Sequence, residues 1–215
     1  MNNLQLQLTA DGSHTLYIPE LDEHYHSVNG AVQESKHVYI DAAFNQCSVE
    51  SVTVLELGFG TGLNTLLTAL EAEKRKIKTN FISLEKFPLS KEITDNLNYS
   101  GLDEKLFRKI HSSSWEIPEI ISPYFSLQKI ETDFADYRFP DKVDIVYYDA
   151  FAPDKQEGVW SQELFDKIYL VMNSPGVLTT YCAKGNIRRM MQNAGFTVER
   201  IPGPPGKREM LRARK

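Results

Sequence analysis

Residues 54–64 read V-L-E-L-G-F-G-T-G-L-N, an apolar run that empties into glycines at positions 58, 60 and 62. A turn with bare positions at alternate sites lets a ligand lie directly against the backbone. At the end of a parallel strand and ahead of a helix, doubly wound α/β folds hold nucleotide-like cofactors on such a turn. The spacing then excludes two ligands. A dinucleotide fingerprint counted from Gly58 needs a small residue at position 63, and that position is Leu63. A P-loop closes with G-K-[ST], whereas Gly62 is followed by Leu63 and Asn64. What remains is E-x-G-x-G-x-G, with Glu56 two residues before the first glycine.

From residue 52 the chain alternates between strand and helix patterns, which predicts a parallel sheet with right-handed crossovers. Strands are expected at 52–57, 80–85, 125–131, 143–148 and 177–182. Helices are expected at 62–73, 90–97, 102–110, 161–172 and 187–193. Two final strands, 196–201 and 209–213, are joined by P-G-P-P-G. That joint is too short for a crossover helix, so the last pair must be antiparallel. Residues 1–50 form an N-terminal extension without a strong period: a short hairpin around Asp11-Gly12-Ser13, then a helix over 27–44. Residues 51–215 make the main domain.

In an open α/β sheet, ligands sit beyond the carboxyl ends of the strands. Besides the glycine turn, those ends here bring Glu85, Thr132-Asp133-Phe134 and Tyr148-Asp149-Ala150-Phe151 to one rim. A carboxylate at Glu85 accepts from two ribose hydroxyls. Asp133 suits an adenine amine, and Phe134 a ring face. The backbone of 58–62 is left for a methionine part, and Asp149 for the reacting centre. Each acid taken singly is equally a helix cap or a solvated charge; a shared rim for all of them favours a site.

The E-x-G-x-G-x-G turn resembles motif I of the S-adenosylmethionine-dependent methyltransferases. A closer resemblance follows from G-F-G-T-G-L-N, F-I-S-L-E-K-F-P, D-A-F-A-P-D-K with a later tryptophan, A-G-F and G-K-R-E-M-L, taken in order. Over residues 27–211 the chain is similar to the methyltransferase domain of the MnmC family, which acts in tRNA 5-methylaminomethyl-2-thiouridine biosynthesis. The resemblance implies a Rossmann-like class I methyltransferase fold, with a seven-stranded, mostly parallel sheet and a C-terminal antiparallel hairpin. It implies methylation by S-adenosylmethionine of the aminomethyl group on the wobble uridine of tRNA. Cofactor contacts are then expected from Glu56, Gly58, Phe59, Gly60, Thr61, Gly62, Asn64, Glu85, Lys86, Asp133, Phe134 and Asp149. Asp149 is also the expected catalytic residue, and Phe151, Lys207 and Arg208 are expected at the substrate. Ala150 departs from the family's glycine in D-G-F-A-P. The family's bifunctional members carry a further oxidase domain, which this sequence does not contain. A free-standing methyltransferase is therefore expected, with separate upstream enzymes supplying the aminomethyl group.

Composition bounds the alternatives. No apolar run approaches the roughly 20 residues of a membrane helix, and the first residues lack the pattern of a signal peptide. Two cysteines, Cys47 and Cys182, make a disulfide framework implausible and fit a cytoplasmic protein. His24 and His26 form an H-x-H without a second ligand pair nearby, so no metal is expected. The net charge is −5, but residues 184–215 carry +7 against −12 for the rest. An acidic body with a basic end suits RNA at one face, or simply a solvated tail. A methyltransferase for a small molecule or a protein is the alternative within the fold. A non-catalytic cofactor- or RNA-binding module is the alternative outside it.

Overall fold

The computed structural model describes residues 4–139 and 142–215. Residues 1–3, where the expected extension and the signal-free N-terminus begin, lie outside the described residues. The chain opens with β1 (Gln5–Leu8) and β2 (His14–Ile18), paired antiparallel about the expected turn, with β3 (Glu23–His24) added beyond β2. Asp11 organises that turn, accepting from Thr9 Oγ1 at 2.8 Å and from the Ser13 amide at 3.0 Å. Its other oxygen accepts from the Gln33 amide at 2.9 Å and so ties the hairpin to α1 (Ala31–Ser35). The helix expected over 27–44 is shorter and broken in type. After α1 the backbone widens into a π-helical turn, Lys36–Asp41, which turns Val38, Tyr39 and Ile40 all into the core.

The main sheet follows. It comprises β4 (Ser51–Leu57), β5 (Lys78–Glu85), β6 (Glu119–Ser122), β7 (Phe125–Glu131), β8 (Val143–Tyr148), β9 (Met172–Thr180), β10 (Thr197–Pro202) and β11 (Glu209–Arg214). Between them run α2 (Leu63–Arg75), α3 (Lys91–Asp95), α4 (Glu104–Ser112), α5 (Gln162–Val171) and α6 (Gly185–Ala194). Three of these helices start on polar caps, Ser90, Asp103 and Ser161, whose side chains accept from Ile93, Leu106 and Leu164 amides. The strand order is β10-β11-β9-β8-β4-β5-β7-β6. Strands β4, β5, β7, β8 and β9 run parallel, and β6, β10 and β11 pair antiparallel at the two edges.

The expected count of seven strands is corrected to eight. The extra strand is β6, a four-residue edge strand folded back on β7 after an S-S-S-W-E-I-P stretch with no period. Strand β9 also begins earlier than the expected 177. Its Asn173-Ser174-Pro175-Gly176 segment reads as a turn, yet Met172 already pairs with Val143, and Asn173 donates to Asp144 at 2.6 Å.

Alternation along β4 sends Val52 and Val54 to one face and Leu55 and Leu57 to the other. The first face is packed by Leu66 of α2 and by Leu16, Val38, Tyr39 and Phe44 of the N-terminal segment. The second is closed by α5 and α6, where the Tyr148 ring stacks on Phe165 at 5.0 Å. The N-terminal segment thus shares one core with the sheet and ends beside its carboxyl rim. Among the described residues no helix is long and apolar enough to cross a membrane.

Candidate active site

Because β4, β5, β7, β8 and β9 are parallel, their carboxyl ends open on one side. A cavity of about 570 Å³ lies there, within the size range of small-molecule sites. Its floor is the turn after β4. Gly58 has φ +104°, and a Cβ there would sit 2.5 Å from the backbone oxygen of Asp149. Only glycine lets β4 and β8 approach so closely, with the Asp149 amide donating to Leu57 O at 3.0 Å. The Gly58 and Phe59 amides both donate to Leu84 O at 3.0 Å, which curls the turn over the end of β5.

Glu85 braces the turn from beneath. Its Oε2 accepts from the Gly60 amide and its Oε1 from the Phe87 amide, each at 2.9 Å. Each oxygen keeps a lone pair for a hydroxyl donor in the cavity. Burial raises the pKa of Glu85, and the backbone bonds oppose that rise. Asp149 lies at the end of β8, where Asn64 Nδ2 donates to its Oδ2 at 2.8 Å. Burial pushes its pKa up to about 6. The buried Tyr39 hydroxyl approaches the same carboxylate without reaching a well-aligned hydrogen bond.

Most of the expected residues gather at this cavity: Gly58, Phe59, Gly60, Thr61, Asn64, Glu85, Lys86, Phe134, Asp149, Phe151 and Lys207 all line it. Four do not. Glu56 is fully buried behind the turn, its Oε2 accepting from Thr65 at 3.1 Å and from Ser83. Strand alternation aims it at α2 rather than at the cavity. Gly62 opens α2 with φ +73°, and its bare Cα faces His111 and Phe59. Asp133 is outside the lining, its carboxylate 2.6 Å from Lys86 Nζ and bonded to the Ala135 amide at 3.0 Å. The Lys86 bond holds its carboxyl below the usual range. Arg208 is exposed and outside the cavity, whereas Lys207 beside it sits 2.7 Å from Glu34 and 4.0 Å above the Tyr181 ring. Ala150 is not among the residues with positive φ, so the backbone there accepts the extra methyl group.

The N-terminal segment supplies wall that sequence reasoning missed. Tyr25 packs edge-on against Phe151 at 5.1 Å, and His26 Nε2 meets Thr61 Oγ1 at 2.7 Å. His111 Nε2 meets Thr61 O at 3.1 Å from the other side. Burial pushes both imidazoles down to about 4, so they brace the turn as neutral rings. His24 also borders the cavity but bonds Gln7 at 3.0 Å, so the two histidines of the H-x-H have different partners. Glu34 also takes the Ser27 amide at 2.7 Å and so fixes the segment above the cavity. The one sequence signal for these contacts was the aromatic and histidine density of residues 24–26, which carries no period.

A bare turn that a Cβ would fill, a carboxylate with acceptor capacity left over and the buried Phe134 beside it form a donor and acceptor set that fits S-adenosylmethionine. The strand order and the site after β4 are those of the class I S-adenosylmethionine-dependent methyltransferase fold. Residues 127–215 match a family described as S-adenosyl-L-methionine-dependent methyltransferase. The chain is 32% identical over 95% of its length to the tRNA 5-methylaminomethyl-2-thiouridine biosynthesis bifunctional protein MnmC of Leptospira interrogans, of which it covers 34%. To the MnmC of Campylobacter hominis it is 30% identical, over 92% of this chain and 31% of that one. The chain thus spans about a third of the length of the curated relatives it matches. Its structure is similar to MNMC2 from Aquifex aeolicus, with a TM-score of 0.79 and 24% identity over 99% of this chain and 70% of that one. Spermidine synthase from Thermotoga maritima shares the fold at a TM-score of 0.59 and 14% identity, over 100% of this chain and 72% of that one.

Proposed function

We propose that this chain is an S-adenosylmethionine-dependent N-methyltransferase acting on the aminomethyl group of a wobble 5-aminomethyl-2-thiouridine in tRNA. The observation that carries the reading is Asp149, an acid of raised pKa aimed by Asn64 into a cavity floored by a side-chain-free turn. The similarity to MnmC proteins along nearly the whole chain supports the choice of substrate.

When bound, S-adenosylmethionine supplies a methyl carbon already activated by a positively charged sulfur. What the chain must add is mainly positioning, worth at best about 7–11 kcal/mol. Gly58 to Thr61, Asn64, Glu85 and Phe134 are the residues that hold the cofactor in this reading. An amine attacks only through its neutral form, so its extra proton must leave. Asp149 as carboxylate accepts that proton, and it is in that form above a pH of about 6. Phe151, Tyr25 and Tyr181 offer ring faces and edges to an unstacked base. Lys207 adds a cation at the mouth.

The basic end of the chain is less available for RNA than its +7 suggests. Arg212 and Arg214 both pair with Glu199, Arg200 with Glu209, and Lys184 with Asp154. The contact surface for tRNA in this reading is the cavity rim with Lys155, together with the exposed Arg208 in the turn between β10 and β11, rather than the paired side chains of those two strands. Upstream enzymes in the cytoplasm supply the aminomethyl group.

The test is a nucleoside profile by mass spectrometry of aminomethyl-bearing tRNA incubated with protein and S-adenosylmethionine. One added methyl on the aminomethyl-uridine is the expected result. Methylation of some other nucleoside, or of bulk protein only, would overturn the substrate assignment.

A further inference from the structure

Three polar side chains lie beside the glycine turn: Glu56 on β4, buried behind it, and Asn64 in the first turn of α2 and Asp149 after β8, both bordering the cavity. Asn64 Nδ2 donates to Asp149 Oδ2 at 2.8 Å, and the Asn64 side chain is near enough to the Glu56 carboxyl to draw its pKa down against the larger effect of burial. Both donors to Glu56, Ser83 and Thr65, go to Oε2. Its Oε1 is buried without a partner, and so is Asn64 Oδ1. Among the described residues no cation partners Glu56, although the residue is 0% exposed.

An ionised Glu56 would be a buried charge without a counter-ion, with a second carboxylate across the same amide. Both circumstances are costly. A proton on Oε1 removes the charge and turns an orphaned acceptor into a donor. It also settles the amide. An asparagine side chain has one face that donates and one that accepts. Beside a protonated acid its oxygen has a donor, and the amino group is left for Asp149. Beside an ionised Glu56 the amino group has two carboxylates competing for it.

We propose that Glu56 is held as a neutral carboxylic acid and acts as a positioning residue, keeping the Asn64 amide turned toward Asp149. The inference rests on the reading of Asp149 as the acceptor of the amine proton. Environment separates the two acids in the required sense. Asp149 borders the cavity and ionises first, at about 6. Glu56 has no solvent and, chiefly through burial, keeps its proton up to about 8. Paired acids with separated values are a recurrent arrangement in proton-handling sites.

Infrared spectroscopy of the full chain against pH tests this, since a protonated carboxyl absorbs clear of the amide bands. At pH 7 the wild type should show a buried carboxylic-acid band that Glu56→Gln lacks and Asp149→Asn retains, fading as pH passes about 8. Asn64→Ala should move the ionisation of Asp149 upward by about half to one pH unit, because a donor to its carboxylate is gone. In kinetics, wild-type turnover should decline above about pH 8, and Glu56→Gln should lose that limb while restoring most of the rate lost in Glu56→Ala. Absence of the band from a folded wild type, or an unmoved Asp149 in Asn64→Ala, overturns the proposal. The infrared readouts do not depend on turnover. An intact band in a protein that transfers no methyl group would refute the proposed function and leave the neutral Glu56 and its hold on Asn64 standing.

Discussion

Asp149→Asn lowers the rate of methyl transfer by about 10²- to 10⁴-fold, the usual contribution of one positioned proton acceptor. Cofactor affinity changes far less, because the turn and Glu85 are untouched. The variant keeps the shape of the side chain and the contact with Asn64 but cannot take a proton. In the wild type the rate rises with pH through about 6 as the carboxylate forms. In the variant that inflection disappears. The same substitution stabilises the fold. The folded-state pKa of Asp149 is raised, so its favourable contribution is present below the ordinary carboxylate range and is lost as pH rises through about 6. At pH 7 asparagine avoids that loss, on the order of 1–2 kcal/mol after discounting the part of the side chain open to the cavity. A slower, more heat-stable protein is the expected pair of results, from single-turnover rates and thermal melts. Full activity in the variant would remove Asp149 from the reaction centre.

Gly58→Ala destabilises the protein by about 2–5 kcal/mol, combining strain at positive φ with overpacking. The cause is specific: the new methyl group would meet the backbone oxygen of Asp149 at 2.5 Å, and a backbone atom cannot swing aside. For a chain of this size that is a fall in melting temperature of roughly 5–15 °C. Relief of the clash must part β4 from β8, which moves both Asp149 and the floor of the cavity, so cofactor affinity falls as well. Gly60 is the internal control. Its Cβ would meet only the Tyr25 ring at 3.2 Å, with φ +49°. Gly60→Ala should melt closer to wild type than Gly58→Ala. Equal melting of Gly58→Ala and wild type would contradict the packing described for the rim.

Much of this was legible in the sequence because the strands in question are strongly apolar and end abruptly. Strands β7 and β8 lie at the expected residues, and the turn after β4 and Asp149 after β8 follow from where those runs stop. Contacts that depend on the third dimension were not legible. Glu56 sits on the expected strand and Asp133 just past the end of β7, yet the pleat turns the first inward and an ion pair with Lys86 occupies the second. Tyr25, His26, Glu34 and Tyr39 follow the expected hairpin, in a stretch whose loop, short helix and π-helical turn have neither a period of two nor one of 3.6. Only the folded chain brings them over the glycine turn. The edge strand β6 escaped notice because four residues among serines and a proline carry too little pattern.

Calorimetric titration of S-adenosylmethionine into the wild type and into Glu85→Gln tests whether this rim holds the cofactor. One site per chain, weakened by at least about tenfold in the variant as a charged acceptor is lost, is the predicted result. A wild type that takes up no cofactor, or a variant that binds it equally well, would contradict the assignment of this rim as the cofactor site.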